Sequence, residues 1–232
     1  MHFDLSRSQD GILLVDKPAG WTSFDVVAKI RGQLRAEYQA RGEKPTKRQL
    51  RVGHAGTLDP FATGLLIILL GDACKLAGEY LKLDKVYETT IRLGQTSTTG
   101  DSEGEITDHH TPGLSLSKTE VEEVIAGFVG EITQVPPAFS AIKVGGQRAY
   151  KLAREGKSVE IPPRQVTIYS IELLAYTYPE LKIRTHVGSG TYIRTLAEDI
   201  GEALGTGAYC AALRRTKIAR YDVEDAGRAG TG

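Results

Sequence analysis

The sequence is poor in cysteine, and its two cysteines lack the spacing of a metal site. Cys74 and Cys210 lie far apart, and each stands among apolar residues. Structural zinc sites use closely spaced pairs of cysteine or histidine ligands, so this class of site is not expected. The two side chains are predicted to be buried free thiols in a reducing compartment.

Long hydrophobic runs are also missing. The longest apolar run, residues 65–70, has six residues, and residues 1–7 contain no apolar segment. A membrane-spanning helix needs about 20 apolar residues, and a signal peptide needs an apolar core of its own. Neither is expected, and the predicted location is the cytoplasm.

The chain has no excess of charge of one sign. It contains 29 Lys and Arg against 29 Asp and Glu, and its pI is about 7.0. The charges are nevertheless segregated: residues 29–51 carry eight bases and two acids (net +6), and residues 84–132 carry ten acids and three bases (net −7). Segregated charge suits a face for a polyanion, whereas a single basic run is more often only a solvated surface. Both interpretations stay open at this point.

Residues 52–64 are the most unusual stretch of the sequence. They contain three glycines, one histidine and Asp59 followed by Pro60, and an apolar run comes directly afterwards. Glycines permit backbone shapes that other residues avoid, and proline biases the preceding residue away from helix. The pattern predicts a rigid loop that presents one carboxylate beside a buried strand. On composition alone, a tight turn with a capping aspartate is the more common explanation of such a stretch.

The remaining pattern is that of an α+β protein. Thr22 or Ser23 can cap a helix with Asp25 in its first turn, and Ser117 with Glu120 forms a capping box. Arg194 stands in the first turn of a predicted helix, where a cation is unfavourable unless an anion is close. Further predictions are strands at residues 11–15, 65–70, 85–94, 166–178 and 181–187, helices at 72–83, 148–156 and 191–204, and a polar loop at 35–50.

Five stretches of the sequence resemble one enzyme family. Residues 53–64 read Gly-His-x-Gly-x-Leu-Asp-Pro-x-Ala-Thr-Gly, which matches every fixed position of the catalytic motif of the TruB-type tRNA pseudouridine synthases. Asp-Lys-Pro-x-Gly-x-Thr-Ser at 16–23, the strand with Tyr87, Gly-Thr-Tyr-Ile-Arg-Thr at 190–195 and the stretch at 210–216 match further motifs in the same order. The resemblance covers about residues 11–223.

The resemblance implies a role for each matched residue. Asp59 would be the catalytic residue, Arg194 would pair with it, and Tyr87 would stack on the target base. Tyr192 would line the active site, Leu213 would pack against the base, and His54 would brace the position that the base leaves. Lys17, Pro18, Gly53 and Gly56 would support the loop. No ligand cluster or nucleotide motif appears in the sequence, so no metal and no organic cofactor are expected.

The implied fold is a large mixed, mostly antiparallel sheet flanked by helices, with an active-site cleft across it. The implied organisation is a catalytic domain at residues 1–225 and a flexible tail at 226–232, without the C-terminal PUA domain of longer relatives. The implied activity converts the uridine at position 55, in the T-loop of tRNA, to pseudouridine, and the chain is expected to act as a monomer. The predicted RNA contacts are Arg31, Lys47, Arg48, Arg51, Arg214, Arg215 and Lys217.

Two other functional classes compete with this interpretation. A catalytically silent RNA chaperone could use the same basic surface, but loss of Asp59 or Arg194 would then be expected, and both are present. A hydrolase with paired carboxylates, as in glycosidases, needs a second acid. The glycine-rich stretch holds only one.

Overall fold

The computed structural model describes residues 2–109, 116–140, 142–144, 146–149, 152, 155 and 161–228, which form two compact units. Unit 1 comprises Met1–Tyr87 and Arg214–Gly232, and unit 2 comprises Glu88–Leu213. Both boundaries between the units fall inside strands, β4 (Lys85–Leu93) and β12 (Ala208–Ile218).

Unit 1 is organised around a buried strand, β3 (Thr63–Leu70), in which residues 65–69 are fully buried. Strand β1 (Ile12–Lys17) pairs antiparallel with β3, and so does β2 (Val52–Ala55). The end of β12 pairs parallel with the start of β3, and β13 (Tyr221–Asp222) pairs with β12. Each buried Leu or Ile of β3 stabilises the fold by about 1.5–3 kcal/mol, so the strand is a firm support for the loop that precedes it.

Helix α1 (Ser23–Ala40) is longer than the sequence indicated. The predicted cap is confirmed: the Thr22 side chain accepts from Asp25 N, and the Asp25 side chain accepts from Thr22 N. The polar segment predicted as loop from residue 35 continues the helix to Ala40, because residues 33–40 contain neither glycine nor proline and mostly good helix formers. Gly42, with φ of +72°, then follows the helix end.

The segment after β3 only partly follows the prediction of one helix. It is a 3₁₀ helix (Gly71–Leu76) followed by the short α2 (Ala77–Leu81). The tail predicted to begin at residue 226 is ordered at its start, which corrects that prediction. Ala226 is buried in the apolar core of unit 1, and β14 (Gly227–Arg228) pairs parallel with β1. Residues 229–232 lie outside the described part of the chain.

The described part of unit 2 contains antiparallel strand pairs and the helices that accompany them. Strand β10 (Arg164–Thr177) pairs with both β11 (Glu180–Val187) and β7 (Gly130–Gln134), and β4 lies beside β11. Strands β5 (Gln95–Ser97) and β6 (Ile106–Asp108) pair with each other, as do β8 (Lys143–Val144) and β9 (Gln147–Arg148).

The helices of unit 2 follow the sequence closely. Helix α3 (Lys118–Ala126) begins with the predicted capping box between Ser117 and Glu120. Helix α4 (Ile193–Ala203) buries Leu196, Ala197 and Ile200. The mixed, mostly antiparallel α/β fold class is therefore confirmed. The cleft across the sheet stays a prediction. Most of the helix predicted at 148–156, and His110, lie outside the described residues; His109 is exposed, as predicted.

Candidate active site

Asp59 stands in a short loop between two strands that pair with each other. Strand β2 ends at Ala55, opposite Ile67, and β3 begins at Thr63. The chain therefore leaves one antiparallel strand at residue 56 and enters its partner seven residues later. Asp59 is half-buried at the middle of this connection. We call residues 56–62 the aspartate loop.

The aspartate loop is held by hydrogen bonds on both sides of Asp59. The buried Ser23 hydroxyl, at the start of α1, accepts from Leu58 N at 2.8 Å and donates to Leu58 O at 3.1 Å. Pro60 O accepts from Gly20 N at 2.8 Å. Ala62 N donates to Asp59 O at 3.2 Å. A loop tied at consecutive residues holds its carboxylate in one place, which is the arrangement that a catalytic group needs.

Lys17 also supports the aspartate loop. Its side chain is fully buried, and its ammonium donates to Pro18 O (2.8 Å), Trp21 O (2.7 Å) and Pro60 O (3.3 Å). These contacts join the turn after β1 to the aspartate loop. The geometry fits the supporting role that the resemblance implies for Lys17 and Pro18.

Gly53, His54 and Gly56 form the part of the chain that leads into the aspartate loop. Gly56 has φ of +100°, a conformation that L side chains rarely adopt, so the loop needs glycine there. Gly53 lies in β2 opposite Leu69, and His54 lies next to it opposite Ile68. His54 is half-buried, and it lies in the same hairpin just before the aspartate loop.

Arg194 lies in unit 2, in the first turn of α4, and is 4% exposed. Its guanidinium donates to Thr99 O at 2.8 Å, to Phe139 O at 2.8 Å and to a carboxylate oxygen of Asp101 at 3.2 Å. Asp101 is itself buried and accepts from the Thr99 hydroxyl at 2.6 Å and from Glu103 N at 3.0 Å. The anion that the position of Arg194 calls for is thus present within its own unit.

Tyr192 is held through its backbone. The buried Gln134 side chain accepts from Tyr192 N at 3.0 Å and donates to Tyr192 O at 3.3 Å. The guanidinium of Arg164 lies over the Tyr192 ring at 4.8 Å from its centroid. The sequence alone singles out neither Gln134 nor Asp101. Each is an ordinary polar residue in its local context, and only its long-range partner distinguishes it.

Tyr87 and Leu213 lie on β4 and β12 and are each 8% exposed. The structure therefore brings Asp59, His54, Lys17, Pro18, Gly53 and Gly56 together in unit 1, and Tyr192 with Arg194 in unit 2. The assignment of these residues to substrate binding stays a prediction, as does the pairing of Arg194 with Asp59.

The predicted RNA contacts of unit 1 differ in exposure. Lys47, Arg48, Arg51 and Lys217 are exposed; Arg48 forms an ion pair with Asp72, and Lys217 forms one with Asp222. Arg31 is half-buried and donates to Val52 O at 3.1 Å. Arg214 binds both carboxylate oxygens of Asp16, at 3.0 and 2.8 Å.

The burial of Arg215 contradicts the prediction that this residue contacts RNA. It is 1% exposed, and it donates to Leu65 O at 2.7 Å and to Gly56 O at 3.0 Å. Strand alternation explains the difference, because adjacent residues of β12 point to opposite sides. Lys85 is another buried base of unit 1. Burial lowers the pKa of Lys85 to about 8, and the charge of Arg215 acts in the same direction.

A pair of half-buried carboxylates follows Arg194 on α4. Burial raises the pKa of Glu198 to about 7, while the nearby charge of Arg194 acts in the opposite direction. Burial also raises the pKa of Asp199 to about 6. The carboxylate of Glu198 is therefore costly to ionise in the folded protein.

Replacing Glu198 by Gln is expected to stabilise the protein more at pH 8 than at pH 5. The folded pKa of about 7 exceeds the ordinary value of 4.5, so the contribution of Glu198 to stability is lost as the pH rises through that interval. After allowance for solvent screening of its exposed part, the difference should be about 1–2 kcal/mol. Urea unfolding at both pH values measures it, with exposed Glu123→Gln as control. An equal effect of Glu198→Gln at the two pH values would contradict this account.

The described part of the chain contains no helix that is both long and apolar enough to cross a membrane. Among the same residues, no three His, Cys, Asp or Glu side chains are grouped so that they could hold a metal ion.

Comparison with known proteins gives matches along nearly the whole chain. A family model described as TruB family pseudouridylate synthase (N terminal domain) matches residues 44–193, and one described as tRNA pseudouridylate synthase B C-terminal domain matches residues 194–228. The chain is 47% identical over 220 residues to tRNA pseudouridine synthase B of Mycobacterium sp. (strain KMS), covering 93% of this chain and 69% of that protein. For the Thermobifida fusca (strain YX) protein of the same name, the identity is 44% over 225 residues, with coverage of 94% and 72%.

Solved structures agree with the sequence matches. The fold is similar to a chain in the crystal structure of a Cbf5-Nop10-Gar1 complex (TM-score 0.67, 29% identity, 92% of this chain). It is also similar to a chain in an H/ACA RNP bound to a substrate RNA containing 2′-deoxyuridine (TM-score 0.66, 26% identity, 96% of this chain). This chain spans about half the length of those chains, 50% and 52%.

The fold, the aspartate loop and the matches to known proteins together define this protein as a pseudouridylate synthase, an enzyme that isomerises uridine to pseudouridine. The chain belongs to the TruB family.

Proposed function

We propose that this enzyme converts the uridine at position 55, in the T-loop of tRNA, to pseudouridine with Asp59 as its catalytic group. The observation that carries the proposal is the anchored aspartate loop. It presents a half-buried carboxylate from a glycine-rich connection whose backbone is tied to Ser23, Gly20 and Lys17. The relatives named tRNA pseudouridine synthase B support tRNA as the substrate.

The reaction is an isomerisation that balances without any other reactant. The N1–C1′ bond breaks, the base turns, and a C5–C1′ bond forms. The proton on C5 then leaves, and N1 takes up a proton. One carboxylate in a site with little water can serve this sequence by attack on the base, by attack on the sugar or by removal of a proton from the sugar. Each role needs Asp59 in its ionised form.

The target base must leave its stack before the carboxylate can reach it. We assign Tyr87 as the stacking surface for the flipped base, since aromatic rings bind unstacked bases in this way. Leu213 and Tyr192 would contact the same nucleotide, and His54 would brace the position that the base leaves. Arg194 would pair with Asp59 and keep it ionised. In a protein whose substrate is tRNA, these steps take place in the cytoplasm.

The test uses an unmodified tRNA transcript and maps pseudouridine at every uridine before and after incubation with the protein. We expect modification at position 55 alone. A transcript with cytidine at position 55 is the matched control and should gain no pseudouridine. Absence of pseudouridine from the first transcript, or its formation at other positions, would overturn the proposed specificity.

Neutralising two bases of the segment after α1 is expected to weaken binding to tRNA and its salt dependence. Lys47 and Arg48 are exposed in a run with net charge +6. For every phosphate that the variant no longer neutralises, the slope of log K against log salt should fall by roughly 1. Filter binding at several salt concentrations would compare Lys47→Ala/Arg48→Ala with Lys118→Ala/Lys182→Ala, which removes two exposed bases outside the proposed RNA contacts. Equal affinities and slopes for the two double variants would remove residues 47 and 48 from the interface.

A further inference from the structure

We propose that Arg215 is a positioning residue for the reaction, because its buried guanidinium ties the start of the aspartate loop to the strand that follows it. Nε donates to Leu65 O at 2.7 Å, and Nη2 donates to Gly56 O at 3.0 Å. Gly56 opens the loop, and Leu65 is the third residue of β3. One side chain thus fixes the distance between the two ends of the segment that carries Asp59. The inference rests on the proposed role of Asp59.

The burial of Arg215 is itself informative. At 1% exposure, Arg215 is among the largest fully buried side chains of the described residues. A guanidinium removed from water is costly unless its donors are engaged. Here Nε and Nη2 each donate to a carbonyl of the chain around Asp59, and the rigid fork of Arg suits two acceptors better than a lysine would. A role confined to packing would be met by an apolar side chain of similar size.

The backbone of Arg215 is fixed on the same segment. In the parallel pairing of β12 with β3, Arg215 stands opposite Gly64. A Cβ on Gly64 would lie 2.2 Å from Arg215 O and 2.8 Å from Arg215 N, and Gly64 has φ of +103°. Only glycine permits this approach. Two positive-φ glycines, Gly56 and Gly64, therefore bound the segment 56–64, and Arg215 contacts the first with its side chain and the second with its backbone.

The adjacent residue, Arg214, contacts a different part of the protein. Arg214 has a side chain that is 35% exposed, and it forms its bidentate ion pair with Asp16 of β1. The two arginines therefore separate by strand alternation into one that reaches toward the surface and one that reaches the aspartate loop. Loss of the Arg215 guanidinium would leave Gly56 O and Leu65 O without these donors and would release the loop at its first residue.

The expected consequence is a loss of rate without a loss of tRNA binding. A catalytic group displaced by about 1 Å can cost about 100-fold in rate. Arg215→Met should therefore lower kcat about 100-fold, while the Kd for tRNA stays within about threefold of the parent value because no surface charge is removed. Arg215→Lys keeps the charge but has a single donor group, so its kcat should lie between those of the parent and Arg215→Met.

The matched control is Gln33→Met, which also removes a buried side chain that bonds two backbone groups of unit 1. Gln33 accepts from Phe3 N at 3.0 Å and donates to Phe3 O at 2.9 Å, remote in the chain from the aspartate loop. Gln33→Met should lower thermal stability and leave kcat unchanged at temperatures at which both variants are fully folded. A second readout, amide hydrogen exchange of residues 56–64, should be faster in Arg215→Met and unchanged in Gln33→Met.

Each outcome decides the proposal. A kcat loss greater than about tenfold in Arg215→Met, with unchanged Kd and faster loop exchange, supports it. A smaller loss, or equal loop exchange in Arg215→Met and Gln33→Met, overturns it. If Arg215→Met does not fold, Arg215→Lys is used instead in both measurements. The kcat loss that supports the proposal is then one greater than about threefold, and the conditions on Kd and on loop exchange stay the same. If the parent forms no pseudouridine in tRNA, the proposed function fails, and the exchange comparison alone then decides whether Arg215 positions the loop.

Discussion

Replacing Asp59 by Asn is expected to abolish turnover while tRNA binding is retained. A single side chain acting in acid–base catalysis contributes about 10²–10⁴-fold, and a group on which every step depends contributes more, so the loss should be at least about 10⁴-fold. Asparagine is close in size to aspartate, and the loop contacts at Leu58, Pro60 and Gly56 all involve backbone atoms. The loop should therefore keep its shape, and the Kd for tRNA should stay within about threefold because no phosphate contact is removed.

The measurement is pseudouridine formation under single- and multiple-turnover conditions, with Kd determined on the same preparation. Mass spectrometry of the purified variant must show that position 59 has not deamidated, since a trace of parent enzyme would imitate residual activity. Asp225→Asn is the control: it makes the same chemical change at an exposed aspartate of unit 1 that accepts a hydrogen bond from Arg7 through its backbone carbonyl. Multiple turnover by Asp59→Asn above the level of deamidated protein would remove Asp59 from the catalytic role.

The aspartate loop was predictable because its determinants are local. Three glycines, an Asp-Pro pair and an adjoining apolar run stand within 18 residues of one another (residues 53–70), and each constrains its own stretch of backbone. The buried strand that follows was equally clear, since residues 65–70 are continuously apolar. What the local pattern left open was whether the loop was a turn or a support for a reactive carboxylate. The resemblance to a family, rather than any period or spacing, favoured the second.

The partners of the loop were not predictable, because they come from remote parts of the chain. Ser23 and Leu58 are separated by 35 positions, and Arg215 and Gly56 by 159. Arg214 and Arg215 are identical and adjacent in sequence, so the basic cluster around them gave no indication that one is buried. Charge counting treats both as surface residues, whereas the pairing of β12 with β3 decides which one faces inward.

Asp101 illustrates the same limit in unit 2. It lies in a polar stretch rich in Thr, Gly and acidic residues, where an aspartate is a common turn residue. The position of Arg194 in the first turn of α4 predicted a nearby anion but not which one. The predicted end of α1 is wrong for a different reason: the segment after residue 35 is polar, and polarity favours a loop, although the residues themselves favour helix.

Replacing Arg194 by Lys is expected to lower kcat about 10²–10³-fold, even though the charge is kept. The guanidinium donates in three directions, to Thr99 O, Phe139 O and the Asp101 carboxylate. Lysine offers a single ammonium that cannot reproduce a planar fork. Removing one partner of a buried ion pair outright lowers the stability of the fold by about 3–5 kcal/mol. The expected loss in rate corresponds to about 3–4 kcal/mol less stabilisation of the transition state.

The control for charge and size is Arg184→Lys, because Arg184 also donates to more than one acceptor but has a far more exposed side chain than Arg194. It contacts Glu88 and Glu172, each at 2.8 Å, and its side chain is 43% exposed. Solvent replaces the missing hydrogen bonds there, so the rate should stay within about twofold of the parent value. If Arg194→Lys kept its kcat within threefold of the parent value, a role that depends on the geometry of the guanidinium would be wrong.

Asp101 allows the role of Arg194 to be separated from its charge. Asp101→Asn leaves Arg194 in place but removes the anion at 3.2 Å from its guanidinium. If the two side chains act as one unit, the double variant Asp101→Asn/Arg194→Lys should be hardly slower than Arg194→Lys alone, because the second change removes an interaction that the first has already broken. Strictly additive losses would show instead that Asp101 and Arg194 act independently, and that the orientation of Arg194 does not come from Asp101.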